Sequence, residues 1–353
     1  MMNRHLFGLV VGGLLCCGLP SSVSAGVCQI NRVIGKADAI LKTHLSAGCT
    51  DQERESHAVQ AGAILAALRQ GKAIDLSGVV ILGDLRVDDL PLGPPPEEFV
   101  TQTPEAEKVV RVVSGAFSLV NSIVRGAVRH QSAENVLVVK GPVDLSGTRF
   151  EQSVDLSRAT FMQPVRLSGA VFLGASYFVQ ARFLRELSAE KTAFGPHTRF
   201  HRARFHGPVT FQQSGFSGLA EFLEVEFRSD ADFSRTFFKL GTGFSGSHFQ
   251  KLADFSEALF DREAFFTFAR FDGDAVFRRA TFRSTADFDD AQFKARDDFS
   301  KVFFEGDSRF ARVTRPANGP AALGLENPQV QYAITLSLLV FSAVLIAYLI
   351  RSR

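Results

Sequence analysis

From Val143 to Asp307 large apolar residues recur at alternating steps of five and six. The segment divides into fifteen units of eleven residues with no insertion or deletion. Position eight is Phe in every unit, from Phe150, Phe161 and Phe172 to Phe304. Position three is Leu three times and Phe eleven times, failing only at Ala189. Two residues before each large one, at positions one and six, stand mainly Ala, Thr, Ser or Val. Such small-x-large pairs alternate as a strand does, with both side chains on one side. An eleven-residue period also fits a right-handed coiled coil, but that needs apolar steps of three and four and tolerates little Gly or Asp. Short strands joined by corners, repeated without gaps, describe a coil that stacks on itself. One coil cannot bury its own Phe residues; the coils above and below do so. The predicted interior therefore includes Phe150, Phe161, Phe172, Phe205, Phe233, Phe238, Phe255, Phe260, Phe288 and Phe293.

Weaker units flank this block. Residues 85–95 and 110–142 keep the register with aliphatic residues, and Ile74 to Asp84 (IDLSGVVILGD) repeats the phrase VDLSGTRFEQS of Val143 to Ser153. Residues 96–109, with Glu97 and Glu98, fit no unit and read as a loop inserted at one corner. The solenoid is expected to span 74–310. Before it, residues 29–48 place Ile30, Val33, Ile34, Ala37, Leu41 and Leu45 on one side of a helix. A second helix starts at a capping box, Thr50 and Glu53, and stops at Gly71. Residues 26–73 are thus expected to form a helical hairpin covering the first coil, since a bare solenoid end exposes apolar surface and unpaired strand edge.

Both ends carry membrane signals. Arg4 and His5 precede the apolar run Leu6 to Leu19, and Val23-Ser24-Ala25 offers the small residues of a signal-peptide cleavage site, making 1–25 a secretory signal. Cys16 and Cys17 suggest a lipoprotein, but Leu14 and Leu15 stand where lipid attachment wants small residues. Tyr332 to Ile350 is uncharged and apolar, and at a rise of about 1.5 Å its length matches the hydrocarbon thickness. Arg351 and Arg353 then keep residues 351–353 cytoplasmic. Residues 311–331, with Pro and Gly and no period, read as a linker. The expected topology is a single C-terminal span in the inner membrane, with the bulk of the chain in the periplasm or otherwise outside the cytoplasm. In that oxidising setting Cys28 and Cys49 would form one disulfide; the alternative is two free thiols.

Ala-Asp-Phe-Ser at 231 and 253, Ala-Asp-Phe-Asp at 286, and Val-Asp-Leu-Ser at 143 and 154 resemble the A-(D/N)-(L/F)-x-x signature of the pentapeptide-repeat family. The resemblance implies a mainly β fold, a right-handed quadrilateral β-helix with four faces per coil. The five-six alternation departs from the family's even fives and makes two units a coil of 22 residues. Residues two units apart then stack, and opposite charges do so: Arg235, Glu257 and Arg279 in one column, Arg202 with Glu224, and Arg204 with Glu226. At about 4.8 Å per rung the strong block would be roughly 36 Å long.

Candidate chemistry is sparse. His197, His201 and His206 cluster beside Arg199, Arg202 and Arg204, but His201 and His206 fall on adjacent faces and diverge, which favours a solvated basic patch over a metal site. Asp232, Asp254, Asp287 and Asp298 could pair for acid–base work. In the family the same slot faces outward and bonds turn backbone. No phosphate loop, nucleophile elbow or zinc spacing occurs. The net charge is +2 over 353 residues, and Arg and Lys nearly balance Asp and Glu within the strong block. That disfavours nucleic acid as a partner, and with it the acidic DNA mimicry that some members use against topoisomerases. A carbohydrate-active groove, the competing enzyme reading, needs outward aromatic platforms, yet Trp is absent and Tyr numbers 3. The favoured expectation is a non-catalytic rod, without cofactor or metal, that binds a protein partner in the cell envelope. Its expected contact residues are Glu97, Glu98, Arg199, Arg202 and Arg204.

Overall fold

The computed structural model describes residues 27–33, 39–102, 108–130 and 135–316. The expected signal sequence (1–25), the 332–350 span and its 351–353 tail lie outside these residues, as does most of the 311–331 linker. Among the described residues no helix is long and apolar enough to cross a membrane.

The chain winds into a four-sided β-solenoid whose sides are sheets A, B, C and D, of 12, 11, 10 and 10 described strands. From Val143 onward every strand pairs in parallel with the strand two units later on the same side, as in Val143↔Val165, Phe150↔Phe172, Val154↔Ser176 and Phe161↔Phe183. Two units therefore make one coil. The Phe residues of positions three and eight point inward, whereas Phe237, Phe265, Phe268 and Phe303 at other positions are exposed. Each side carries one column of large residues, and rings in a column stack nearly parallel: Phe150–Phe172 at 4.9 Å and 7°, Phe227–Phe249 at 4.5 Å and 6°. Rings of opposite columns meet edge to face, as Phe233 and Phe244 do at 5.2 Å and 84°. Both arrangements suit the aromatic quadrupole, and each such pair adds about 0.5–1.5 kcal/mol beyond area burial.

The two kinds of corner account for the alternating five and six. After position three the chain closes a four-residue turn, its last N–H donating to the position-three carbonyl, as from Ala159 to Leu156 and from Ala258 to Phe255 (3.1 Å in both). The third residue of each turn has positive φ, 59° at Arg158 and 58° at Glu257. That conformation suits Gly, yet Arg, Lys, Glu, Gln and Phe268 fill most of these sites, and no β-branched residue does. After position eight a longer corner brings successive coils close. A Cβ on Gly273 would sit 2.5 Å from the Lys251 carbonyl carbon. Hydroxyls buried at position six reach the carbonyl of position three in the preceding coil, as Thr192 and Thr236 donate to Leu167 and Phe211 at 2.8 Å.

The N-terminal cap differs from the expected helical hairpin. Residues read as its first helix instead form β1 (Ile30–Val33) and β2 (Ile40–Leu45), an antiparallel pair. Strand β2 alternates Leu41, Thr43 and Leu45, and its partial burial suits a sheet edge better than a helix stripe. The second helix is broken into α1 (Asp51–Ser56) and α2 (Ala61–Arg69), with β3 (Val59–Gln60) between them. The Thr50–Glu53 capping box is present, and Gly71 has φ +72°. Sheet A runs from β2 into β4 (Ala73–Ser77), and sheet B from β3 into β5 (Val80–Leu82). The parallel ladders therefore reach back to Ile40 and Val59, ahead of the expected start at 74. Helix α2 lays Ile64 and Leu68 onto the first coil's core, so a helix does cover that end. A disulfide joins Cys28 to Cys49, tying the entry of β1 to the turn before α1.

Two further departures lie in the aliphatic coils. Residues 110–142 do not keep a strict eleven-residue register. Val128 pairs with Val154 rather than with Phe150, whereas Leu137 pairs with Ala159 at the regular two-unit step. Four extra residues thus lie between Val128 and Leu137. The inserted segment is also more than a loop. After β6 (Leu85–Arg86), β7 (Leu92–Gly93) pairs antiparallel with β8 (Val110–Val113). Between them α3 (Glu97–Gln102) buries Phe99 completely against Val110, Val136, Val138, Met162 and Leu184 on the outside of sheet D.

Candidate functional site

With the interior filled by hydrocarbon, recognition falls to the outward positions, and the four sides differ. Position two, on sheets A and C, holds the Asp residues. Asp144, Asp155, Asp232, Asp254 and Asp298 each accept the backbone N–H of the Ser two residues on, at 2.8–3.0 Å, and Asp287 accepts that of Asp289. These are Asx turns that hold corners, as expected of that slot, and they commit the carboxylates to the backbone rather than to acid–base pairs. At Asp298 burial raises the pKa, but the Ser300 hydroxyl and N–H, with Arg278, outweigh it and hold the group below its ordinary value.

The expected contact residues divide into two places. Glu97 and Glu98 sit at the start of α3, where Glu98 lies 3.8 Å from Lys140. Arg199, Arg202 and Arg204 stand on one rung of the C and D sides. Each meets the Glu two units on: Arg199–Glu221 at 2.6 Å, Arg202–Glu224 at 2.8 Å and Arg204–Glu226 at 3.6 Å. The Arg202–Glu224 pair has two hydrogen bonds, which hold the Glu224 carboxyl below the usual carboxylate range. The third column is present as well, Glu257 lying 3.0 Å from Arg235 and 3.7 Å from Arg279. Exposed pairs contribute about 0–1 kcal/mol each. Three on one rung boundary add a register that identical Phe rungs cannot supply by themselves.

His197, His201 and His206 do not converge, and no group of side chains suited to hold a metal occurs among the described residues. His206 is half-buried, which lowers its pKa, and the charges of Arg228, Arg182 and Arg204 lower it further, although Glu226 opposes them.

Two arginines absent from the expected contact set join this patch. Arg158 stands four units before Arg202 in the corner column, and Arg182 stands two units before Arg204 in the sheet D column. All four line one open cleft of about 250 Å³, with Gln180, Thr160 and Val136. The two-unit spacing could have located both in the sequence. A different space lies inside the rod, where the aliphatic coils meet the first Phe rungs. It is an apolar cavity of about 60 Å³ bounded by Leu119, Val128, Val143, Phe150 and Phe161, among others.

The family model for pentapeptide repeats, nine copies long, matches residues 156–204, 167–215 and 255–302. A search of curated proteins found no match, and neither did a search of solved structures. The matched spans lie within the block whose sheets run in unbroken two-unit register. Through that block the chain carries the repeat that the pentapeptide-repeat family model describes.

Proposed function

We propose that this protein is a non-catalytic rod, exported and anchored by its C-terminal segment, that presents a faceted surface to a partner in the cell envelope. A structural or protein-interaction role agrees with the pentapeptide-repeat solenoid. The observation that carries it is the register of four sheets, uninterrupted from Val143 onward, which fixes outward side chains at regular rungs along a stiff axis. Export and anchoring rest on the terminal apolar segments and the arginines after Ile350. The Cys28–Cys49 disulfide agrees with an oxidising compartment.

Affinity capture from membranes tests the interaction reading. The full chain is compared with a variant carrying Glu97→Lys and Glu98→Lys. Removing 96–109 outright would uncover the cluster that Phe99 seals, so point changes are preferred. The full chain is expected to retain a specific envelope protein; retention of none contradicts the rod as an interaction module. A reporter fused after Arg353 is expected to be active only on the cytoplasmic side, and exported-side activity would reverse the orientation.

A further inference from the structure

We propose that the outer face of sheet B is a contact surface between two copies of this chain, paired with their rods antiparallel. The pairing goes beyond the envelope-partner reading and does not depend on it. The face is set by position seven, whose side chain points outward between positions six and eight. In sheet B that column runs Ala193, Gly215, Phe237, Leu259, Thr281 and Phe303, six rungs without a charge. The same position on sheet D holds Arg182, Arg204, Glu226, His248 and Arg270. Phe237 and Phe303 are exposed. Two such faces can pack as the sheets of a β-sandwich do, about 10 Å apart.

The charges along its two borders choose the orientation. Position five lies at the corner where sheet B begins, and position nine at the corner where it ends. Two faces meet about a twofold axis that runs either along the rod or across it. With the axis along the rod, each rung faces its own copy and position five lies over position nine. Arg235 then meets Lys239, Glu257 meets Asp261 and Arg279 meets Arg283, three like-charged pairs. With the axis across the rod, position five faces position five and position nine faces position nine. Placed midway between the Phe237 and Leu259 rungs, that axis brings Arg235 to Glu257 of the second copy and Lys239 to its Asp261. The one like-charged pair, Lys191 with Lys301, falls at the ends. Arg235 and Glu257 already pair within each chain at 3.0 Å, so the second copy completes a square of alternating charges.

The column agrees with the same register. Phe237 faces Leu259, Gly215 faces Thr281, and the exposed ring of Phe303 lies over the methyl group of Ala193. Moving the axis onto the Phe237 rung sets Arg235 and Lys239 against their own copies, and moving it a full rung lays Phe303 on Arg149. In the other direction Glu257 and Asp261 meet their own copies, and then the overlap shortens. Six rungs at about 4.8 Å and a width of four residues give a footprint on the order of 350 Å² per copy. That is below the roughly 800 Å² per partner of a stable complex, so the pairing is reversible and depends on concentration.

The test uses the purified full chain in a zwitterionic detergent. Sedimentation at rising concentration is expected to move the protein mass from that of one chain, 38.6 kDa, to that of two. Phe237→Asp changes an outward side chain and is expected to weaken the association at least tenfold. Single cysteines and a short bifunctional thiol reagent then read the register, with isotope-labelled and unlabelled chains mixed so that peptide mass spectrometry identifies links between copies. Phe237→Cys and Leu259→Cys each lie one rung from their own copies and are expected to join there. Val171→Cys, about 34 Å from its own copy, is expected to stay unjoined. Should Phe237→Asp lose its β circular dichroism, the crosslinks decide alone. Monomers at every concentration, association indifferent to a folded Phe237→Asp, joining through Val171→Cys, or joining through Phe237→Cys without Leu259→Cys would overturn the proposal. A failed membrane capture would count against the envelope-partner reading alone, because the pairing needs no other protein.

Discussion

Before Val143 the coils are lined by Val, Leu and Ile; after it, increasingly and then wholly, by Phe. The two stretches also differ in regularity. Among the aliphatic coils Ile74 pairs with Phe117 and Phe117 with Val143, the first step far longer than two units and the second slightly longer. In the phenyl block every step is two units. Stacked rings explain the contrast. A rung that gained a residue would turn its ring off the one beneath and lose the parallel contact, whereas aliphatic burial is non-directional and absorbs the change. Excursions such as α3 therefore sit among aliphatic coils, and the phenyl block supplies the straight stem. At the junction the smaller side chains do not fill the cross-section set by Phe150 and Phe161, and the apolar cavity lies there.

The contrast can be broken by mutation. Phe233→Ala, in mid-ladder and fully buried, is expected to cost about 3–5 kcal/mol. Val124→Ala, the matching kind of loss in an aliphatic coil, should cost roughly 2 kcal/mol. Urea midpoints of the two variants compare them; equal costs would deny the rings any special role. Next in size, replacing both Cys28 and Cys49 by Ala should lower stability by about 3 kcal/mol, given the sequence separation of 21 that the bridge closes. Hydrogen exchange should show that loss in the cap and aliphatic coils, not in the stem. Val143→Ile adds one methylene beside the junction cavity and is expected to raise stability by about 0.8 kcal/mol. A decrease in melting temperature would mean the cavity cannot accept it.

The smallest expected effect is a pH dependence. His130 follows the strand that pairs with Val154 and Asp155 and is buried, with Nδ1 against the Ser157 carbonyl at 2.8 Å. Burial holds its pKa below the ordinary 6.5, against the opposing Ser157 bond. The unfolded chain then takes up a proton before the folded one, so stability falls as pH drops from 6.5 toward the lower folded value. His130→Leu should flatten thermal stability between about pH 7 and 5. Carboxylates such as Asp272, held down chiefly by Arg270, act only in a lower window, below their ordinary 3.8. An unchanged pH slope would remove His130 from this role.

Much of the stem was legible because Phe in an eleven-residue period has one economical interpretation. The two-unit coil and the Arg–Glu columns follow from that spacing, and the outward Asp slot follows from the family motif. The cap was not legible: Ile30, Val33, Leu41 and Leu45 fit a helix stripe, while polar Thr43, which is buried, hid the alternation of β2. Phe99 was masked by the acidic residues around it. The corner residues with positive φ mostly carry no Gly or Asn signature; the clue, weaker, was the absence of β-branched residues at position five. For the cleft, Arg158 and Arg182 lie too far along the chain from Arg202 to be grouped without the coil register.

That register is tested most directly by crosslinking neighbouring rungs. Thr281 and Phe303 face outward on sheet B as paired positions two units apart. With Thr281→Cys and Phe303→Cys, a short bifunctional thiol reagent is expected to join the two within one chain, located by peptide mass spectrometry. Thr281→Cys with Lys301→Cys, the step that a coil of even fives would align, should react far more slowly. Preferential joining of the pair that includes Lys301 would contradict the two-unit coil and the stacked phenyl columns built on it.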